Sequence, residues 1–481
     1  MSIWMIFCAL AIVLGLYLLQ FVFIFTMEYC RPARLAAWLT ITMLLPILGI
    51  VLYLLLARPV NRQNSQTHKR LAQEKLLQAG ELTHNAHSFA DLKGCTKLSG
   101  QEQLFRLLTA SKGHCITLRN KVHVLQNGQD TYESILAAIS RAKTYIHLDY
   151  YTIRDDGIGQ RFKQALIERA KTGVEVRVLY DGIGSMNLSQ AYIHELVAAG
   201  IQTSCFLPPR HAWYERRLNN RNHSKIAVVD GVIGFVGGIN IGDEYLGGNP
   251  KLGFWRDTHV QLEGDAVYFL QQLFRSDWAF AAHEELDDER YMPMHHCEGH
   301  DPVLITPGGP DQIGEPILES VVASVMAAKD SICLSTPYFI PDPGLLMALR
   351  VAALSGVDVR IIIPGKGDSQ LVLWATLSYV EPLLKAGIKV FRYRKGFIHA
   401  KVLIIDHMLA AVGTANMDMR SFYNNYEQNA LLFDPGSIAQ LKRDFRQDEH
   451  DSDELSLADF TKRPAKQKMA EAAAHMLSPL L

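Results

Sequence analysis

The chain is 481 residues long, 48% hydrophobic and 20% charged; that composition excludes a disordered chain, and the length points to two or three domains. Its formal net charge of -1 excludes the overall basic surplus of a protein that embraces nucleic acid.

From the N-terminus, residues 2–27 are almost purely apolar, with Gln20 the strongly polar interruption, and residues 35–57 form a second apolar run. Each is long enough to cross a hydrocarbon core at about 1.5 Å per residue. Trp4, Tyr17, Tyr29, Trp38 and Tyr53 supply candidate interfacial anchors. No Lys or Arg precedes the first run, the run is longer than a signal peptide needs, and a second one follows. A transmembrane helical hairpin over 1–57 is therefore expected. Its orientation stays open. Arg31 and Arg34 lie between the runs, whereas Arg58, Arg62, Lys69, Arg70 and Lys75 follow the second, so the positive-inside rule divides.

Residues 58–113 are polar and rich in Gln, Lys and Leu, and read as a membrane-proximal connector with helical stretches such as Lys69–Gln78. Val/Ile-rich runs and amphipathic patterns then alternate. Strands are predicted over Thr144–Ile153 and Val174–Tyr180, and helices over Gly159–Lys171 and Gln190–Ala199. Such alternation argues for an α/β sheet.

The series then returns. SICLSTPYFI at 331–340 answers TYIHLDYYTI at 144–153, and DVRIIIP at 358–364 answers EVRVLYD at 175–181. KAGIK in 383–389 answers AAGIQT in 197–203, HAKVLIID at 399–406 answers HSKIAVVD at 223–230, and AVGTAN at 411–416 answers FVGGIN at 235–240. Five echoes in one order imply a duplication, with His399 following His223 by 176 residues. Two copies are too few for a solenoid and suggest two similar α/β halves around a pseudo-two-fold axis. The expected halves are 114–283 and 303–481, joined by the charged, Pro/Gly-containing linker 284–302.

Each half carries His-x-Lys-x4-Asp: His223, Lys225 and Asp230, then His399, Lys401 and Asp406. On a strand, residues i and i+2 face the same way, so each imidazole is presented beside an ammonium. A Gly-containing turn and an Asn follow: Gly237, Gly238 and Asn240, then Gly413, Thr414 and Asn416. Two His, two Lys and two Asn brought together suit a phosphodiester. Lys and Asn can hold its oxygens, one neutral His can attack phosphorus, and the other, protonated, can serve as acid and then base. No metal or other cofactor is needed. The two rings are expected to begin in opposite protonation states.

The paired motifs, with G-[GT]-x-N behind each, resemble the phospholipase D superfamily. With the hairpin, WRDTH at 255–259, FRSDW at 274–278, TPYF at 336–339, GTANMDMRS at 413–421 and the final SPLL, nearly the whole chain is similar to bacterial cardiolipin synthases. The resemblance implies that His223 is the nucleophile and His399 the general acid/base, an order that could be reversed. It implies a carboxylate orienting each ring: Glu427 after the second motif, and Asp257 in the first half. Asp230 and Asp406 are expected to be structural members of their motifs, and Tyr151 and Tyr338 to line the mouth. It also implies phosphatidylglycerol as substrate, cardiolipin and glycerol as products, and a multi-pass place in the bacterial cell membrane. A phospholipase D using water, a nuclease and an inactive lipid-binding scaffold remain alternatives.

Other features carry blander readings. Seven cysteines, at 8, 30, 95, 115, 205, 297 and 333, form no CxxC pair and read as buried or membrane-facing thiols. His295, His296, Cys297 and His300 resemble metal ligands by type but lie in the linker, without a second ligand pair at finger spacing. Arg210, His211, Trp213, Tyr214, Arg216, Arg217 and Arg221 form either an exposed loop or a basic, aromatic surface for anionic head groups. The tail 462–481 is either a membrane-resting amphipathic helix or an ordinary terminal helix.

Overall fold

The computed structural model describes residues 3–29, 32–57, 102–109, 115–214, 218–293, 297–312 and 314–481. Most of the expected connector, with Lys69–Gln78, lies outside the described residues. Its described helix, Glu102–Leu108, packs on helix Pro316–Ala327 and sets Phe105 against Phe433, ring centroids 5.4 Å apart.

The body is two sheets of the same topology. Strands β1 (Asn120–Gln126), β2 (Tyr145–Tyr150), β3 (Glu175–Asp181), β4 (Gln202–Phe206), β5 (Lys225–Val229), β6 (Ile233–Gly237), β7 (Phe254–Arg256) and β8 (Thr258–Gly264) belong to the first half. The second holds β9 (Val303–Gly308), β10 (Ser331–Ser335), β11 (Phe339–Ile340), β12 (Asp358–Pro364), β13 (Lys389–Tyr393), β14 (Gly396–Ile398), β15 (Val402–Ile405), β16 (Leu409–Gly413), β17 (Met417–Asp418), β18 (Glu427–Leu432) and β19 (Ser452–Glu454). The first sheet runs β1-β8-β6-β5-β2-β3-β4. Read outward from the same edge, the second runs β9-β18-β16-β15-β10-β12-β13, with β19 added at the far side. In both, three parallel strands join an antiparallel set at the strand that begins the repeat, β2 or β10. The expected strands and helices fall in place: helices Gly157–Lys171 and Gln190–Ala198 flank β3.

Inward-facing residues of both sheets share one core. Val228, Val236 and Val260 from the first pack in the same cluster as Ile404, Val412 and Ala430 from the second. Burying such side chains contributes about 25 cal/mol per Å² of apolar area, which holds the halves face to face. The linker lies against the first half. Tyr291 is buried, its carbonyl accepts from Tyr145 Oη at 2.8 Å, and its hydroxyl accepts from Arg177 at 3.0 Å.

The N-terminal segment corrects one expectation. Helix α1 spans Ile3–Glu28, but the second apolar run is two helices, α2 (Pro32–Leu44, 13 residues) and α3 (Pro46–Leu56, 11 residues). Pro46 has no N–H to continue the ladder, so the helix breaks at Leu45. Among the described residues, one helix is long and apolar enough to cross a bilayer, over Ala11–Glu28. Glu28 ties the three helices together. It pairs with Arg34 at 3.3 Å and accepts from Tyr53 Oη at 3.5 Å. Helix Ala465–Leu477 packs on helix Gln370–Ser378, so the tail behaves as an ordinary terminal helix.

Candidate active site

The two HxK strands meet where the halves meet. His223 precedes β5 and His399 precedes β15, and each is pinned by a short parallel bridge to the other half. The His223 N–H donates to Tyr426 C=O at 2.9 Å, and the His399 N–H donates to Arg256 C=O at 2.7 Å. The residue after each acceptor is a carboxylate. Glu427 Oε2 lies 2.8 Å from His223 Nδ1, and Asp257 Oδ2 lies 2.8 Å from His399 Nδ1. Both expected carboxylates therefore sit on histidines, and each serves the ring of the opposite half.

Glycine choice follows from this crossing. A Cβ on Gly238 would stand 2.1 Å from Asp257 Oδ1, so a side chain there would displace the carboxylate. The equivalent position in the second half is Thr414, whose hydroxyl donates to Glu427 Oε2 at 2.5 Å. Asn425 donates to the other oxygen at 3.1 Å. The Gly/Thr alternation in the sequence was a readable sign that the two carboxylates are held differently.

Lys225 and Lys401 are buried beside their histidines. Each ammonium donates to its own histidine's carbonyl, at 2.8 and 2.6 Å, and Lys401 Nζ lies 3.0 and 3.1 Å from the two nitrogens of the His399 ring. Burial pushes Lys225 down to about 7 and Lys401 down to about 8. Burial and the two ammonium groups hold His223 well below its ordinary value. Burial, then Lys401, lowers His399 to about 4 against the opposing pull of Asp257. The surroundings thus push both rings toward the neutral form, where the sequence reading expected them to be pushed apart.

The carboxylates differ in the direction their surroundings push them. Burial pushes Glu427 up to about 7, with Lys225 the chief opposing influence. Burial also acts to raise Asp257, but His399, its hydrogen bond, Lys401 and the Thr258 N–H outweigh it, so the carboxyl is held below the usual range.

The rings open into a cleft of about 530 Å³. Tyr151 and Tyr338 line it as expected, and Tyr151 stacks edge-on to His223 at 4.9 Å. Asn240 and Asn416 also line it. Asn240 is half committed to the framework, since its oxygen accepts from the Thr152 N–H at 3.1 Å and its amide donates to Tyr245 Oη at 2.8 Å. Asn416 Oδ1 is buried without a protein partner among the described residues. Sequence reasoning gave no role to Trp255, 5.0 Å from the His399 ring, or to Arg420, Lys251 and the apolar Leu252, Ile340, Val372, Leu480 and Leu481 on the walls. Spacing within one repeat gives no signal for groups that arrive from loops and the tail.

Asp230 and Asp406 stand at the far ends of β5 and β15, about 16 Å along the strand from the lysines. Asp230 accepts from the N–H groups of Lys143, Thr144 and Tyr145 at 2.8, 2.7 and 3.0 Å. Asp406 accepts from Lys329, Asp330 and Ser331 at 2.8, 2.9 and 2.6 Å. Both backbones are left-handed, φ 52° and 51°. They hold the frame and are not brought to the cleft. Arg221, from the stretch read as either an exposed loop or a basic surface beside the site, is buried against Asp181 at 3.5 Å and lines the cleft. His295 and His296 lie outside the described residues.

Two α/β halves, each lending one histidine, backed by its lysine, to a shared cleft and one carboxylate to its neighbour's ring, define a bilobed phosphodiester-type site. A family model described as "Cardiolipin synthase, PLD-like domain" matches residues 135–278 and 321–449. The cardiolipin synthase of Geobacillus kaustophilus (strain HTA426) is 43% identical over 460 residues, covering 95% of this chain and 91% of that one. The major cardiolipin synthase ClsA of Bacillus subtilis (strain 168) is 40% identical over 460 residues, covering 92% and 93%. The fold is shared with the crystal structure of the phosphatidylserine synthase of Haemophilus influenzae Rd KW20, at TM-score 0.61 and 14% identity over 79% of this chain and all of that one. The chain belongs to the cardiolipin synthase, phospholipase D-like family.

Proposed function

We propose that the protein is a membrane-anchored cardiolipin synthase that transfers a phosphatidyl group from one phosphatidylglycerol to another. The observation that carries this reading is the pair of histidines in one cleft, each with Nδ1 on a buried carboxylate of the other half and a buried lysine on its own carbonyl. With Nδ1 on a carboxylate, Nε2 of each ring is the nitrogen for chemistry, that of His399 also lying 3.1 Å from Lys401 Nζ.

His223 Nε2 attacks the donor phosphorus. A P–N bond forms, the P–O bond to glycerol breaks, and His399 gives the departing oxygen its proton. His399 then takes the proton from the terminal hydroxyl of a second phosphatidylglycerol. That oxygen bonds to phosphorus, the P–N bond breaks, and cardiolipin leaves. A phosphodiester anion offsets the charge of Lys225 and Lys401, which adds to burial in depressing both rings. The imidazolium is then favoured on His399, beside ionised Asp257, over His223, whose partner Glu427 is pushed up to about 7. Lys225, Lys401, Asn240 and Asn416 supply donors for the non-bridging oxygens. Asp230 and Asp406 complete the motifs as frame residues.

The membrane place rests on helix α1, whose apolar side chains are broadly exposed, Trp4 by 80% and Phe7 by 66%. Helices α2 and α3 fold back on each other beside it, with Trp38 5.3 Å from Tyr53 and the Ala57 carbonyl accepting from Arg34 at 3.0 Å, an apolar pair suited to entering the bilayer from the end where α1 leaves it. Apolar cleft walls at Leu252, Ile340, Val372, Leu480 and Leu481 favour a lipid alcohol over water as acceptor. The test is full-length protein in phosphatidylglycerol liposomes, with lipids followed by mass spectrometry and glycerol by a coupled assay. Cardiolipin and glycerol appear together, and both vanish in His223→Ala and His399→Ala. Phosphatidic acid without cardiolipin would transfer the reading to a hydrolase.

A further inference from the structure

The catalytic groups are close to two-fold symmetric, yet donor and acceptor lipids play different parts, so something off the symmetry must tell them apart. The segments after the two motif asparagines supply it. By the spacing of the two motif asparagines, residues 241–246 answer 417–422: Ile241 bridges Ile153, Met417 pairs with Phe339, and a helical turn follows each. At matching positions, 176 residues apart, stand Glu244 and Arg420. Glu244 is neutralised by Arg154 at 3.3 Å, whereas the position matching Arg154 in the second half is Pro341. Arg420 has no hydrogen bond or ion pair to its guanidinium among the described residues, and its Nε is buried without a partner. It lines the same cleft and bears electrostatically on His223.

One half of the cleft therefore carries an Arg154–Glu244 ion pair and the other a guanidinium that, among the described residues, faces Asp418 electrostatically but has no hydrogen-bonded partner. A planar guanidinium suits a phosphodiester, which it can meet through two N–H groups at once. In the proposed reaction the reacting phosphate is served by Lys225, Lys401 and the asparagine amides, all more deeply buried than the partly exposed Arg420. We propose that Arg420 binds the second, non-reacting phosphodiester, that of the acceptor lipid, and so selects an anionic lipid alcohol over water or a neutral alcohol. This deepens the cardiolipin synthase reading and rests on it.

The experiment compares Arg420→Gln and Arg420→Lys with wild type in phosphatidylglycerol liposomes, with and without ethanol as an uncharged competing acceptor. Wild-type cardiolipin formation checks the underlying reading by itself; if wild type makes none, that reading fails first. With it in hand, Arg420→Gln is expected to lower transfer to phosphatidylglycerol roughly 10- to 100-fold, mainly through the acceptor KM. Transfer to ethanol falls no more than about threefold, so phosphatidylethanol and phosphatidic acid rise relative to cardiolipin. Arg420→Lys recovers part of the preference, because it restores charge without the fork. Equal losses with both acceptors would mean that Arg420 serves the reacting phosphate or the frame, and would overturn the proposal. So would an unchanged product ratio.

Discussion

Exchanging one carboxylate for its amide should disable one histidine, and that histidine lies in the other half of the chain. Asp257 Oδ2 is 2.8 Å from His399 Nδ1, with the Asp wholly buried. A hydrogen bond involving a buried charge contributes about 1.5–3 kcal/mol. At about 1.4 kcal/mol per tenfold, Asp257→Asn should slow the proton transfers of His399 by roughly 10- to 150-fold. A flipped tautomer, with the amide donating to Nδ1, would deepen the loss. Glu427→Gln should act instead on attack by His223. The assay uses a phosphatidyl substrate with a p-nitrophenyl leaving group, which departs without needing a proton. Asp257→Asn then keeps its burst of nitrophenolate but is slow in turnover, whereas Glu427→Gln is slow in the burst itself. The opposite pattern, with Asp257→Asn abolishing the burst and Glu427→Gln sparing it, would refute the crossed assignment.

Gly238→Ala should cost at least about 100-fold in activity with little loss of fold, since its Cβ would meet Asp257 Oδ1 at 2.1 Å; steady-state kinetics beside circular dichroism checks both parts. Asp406→Ala should remove acceptors from three N–H groups and destabilise the fold by about 3 kcal/mol, read as a lower melting temperature, while KM of the protein that remains folded is little changed. His399 contributes a pH-dependent part of stability. Its folded value of about 4 lies below the ordinary 6.5, so that part is full above about pH 6.5 and is lost as pH falls towards 4. The melting-temperature gap between wild type and His399→Asn should therefore shift against wild type over that window, and a flat difference would contradict the buried, neutral ring.

Much of the body was legible because duplication and strand alternation are local patterns. β2, β3, β5 and their partners β10, β12 and β15 lie where the repeats placed them, and the i, i+2 rule put each Lys beside its His. The crossing of Asp257 and Glu427 was not legible, since it depends on the bridges Ile398–Arg256 and Asn222–Tyr426 between halves. The downward push on both rings depends on burial, which no spacing reveals. Pro46 was in view, and its missing N–H is reason enough for the break between α2 and α3. Arg420 stood inside the quoted GTANMDMRS, but its meaning emerges only against Glu244 and its pairing with Arg154.

The central claim is that His223 carries the phosphatidyl group in a site both halves build. The most direct test is to quench the full-length protein during turnover of phosphatidylglycerol, digest it, and locate the phosphatidyl adduct by mass spectrometry. The account predicts an adduct on the peptide containing His223, absent in His223→Ala and longer-lived in Asp257→Asn. An adduct on His399, or steady cardiolipin formation by His223→Ala, would contradict it.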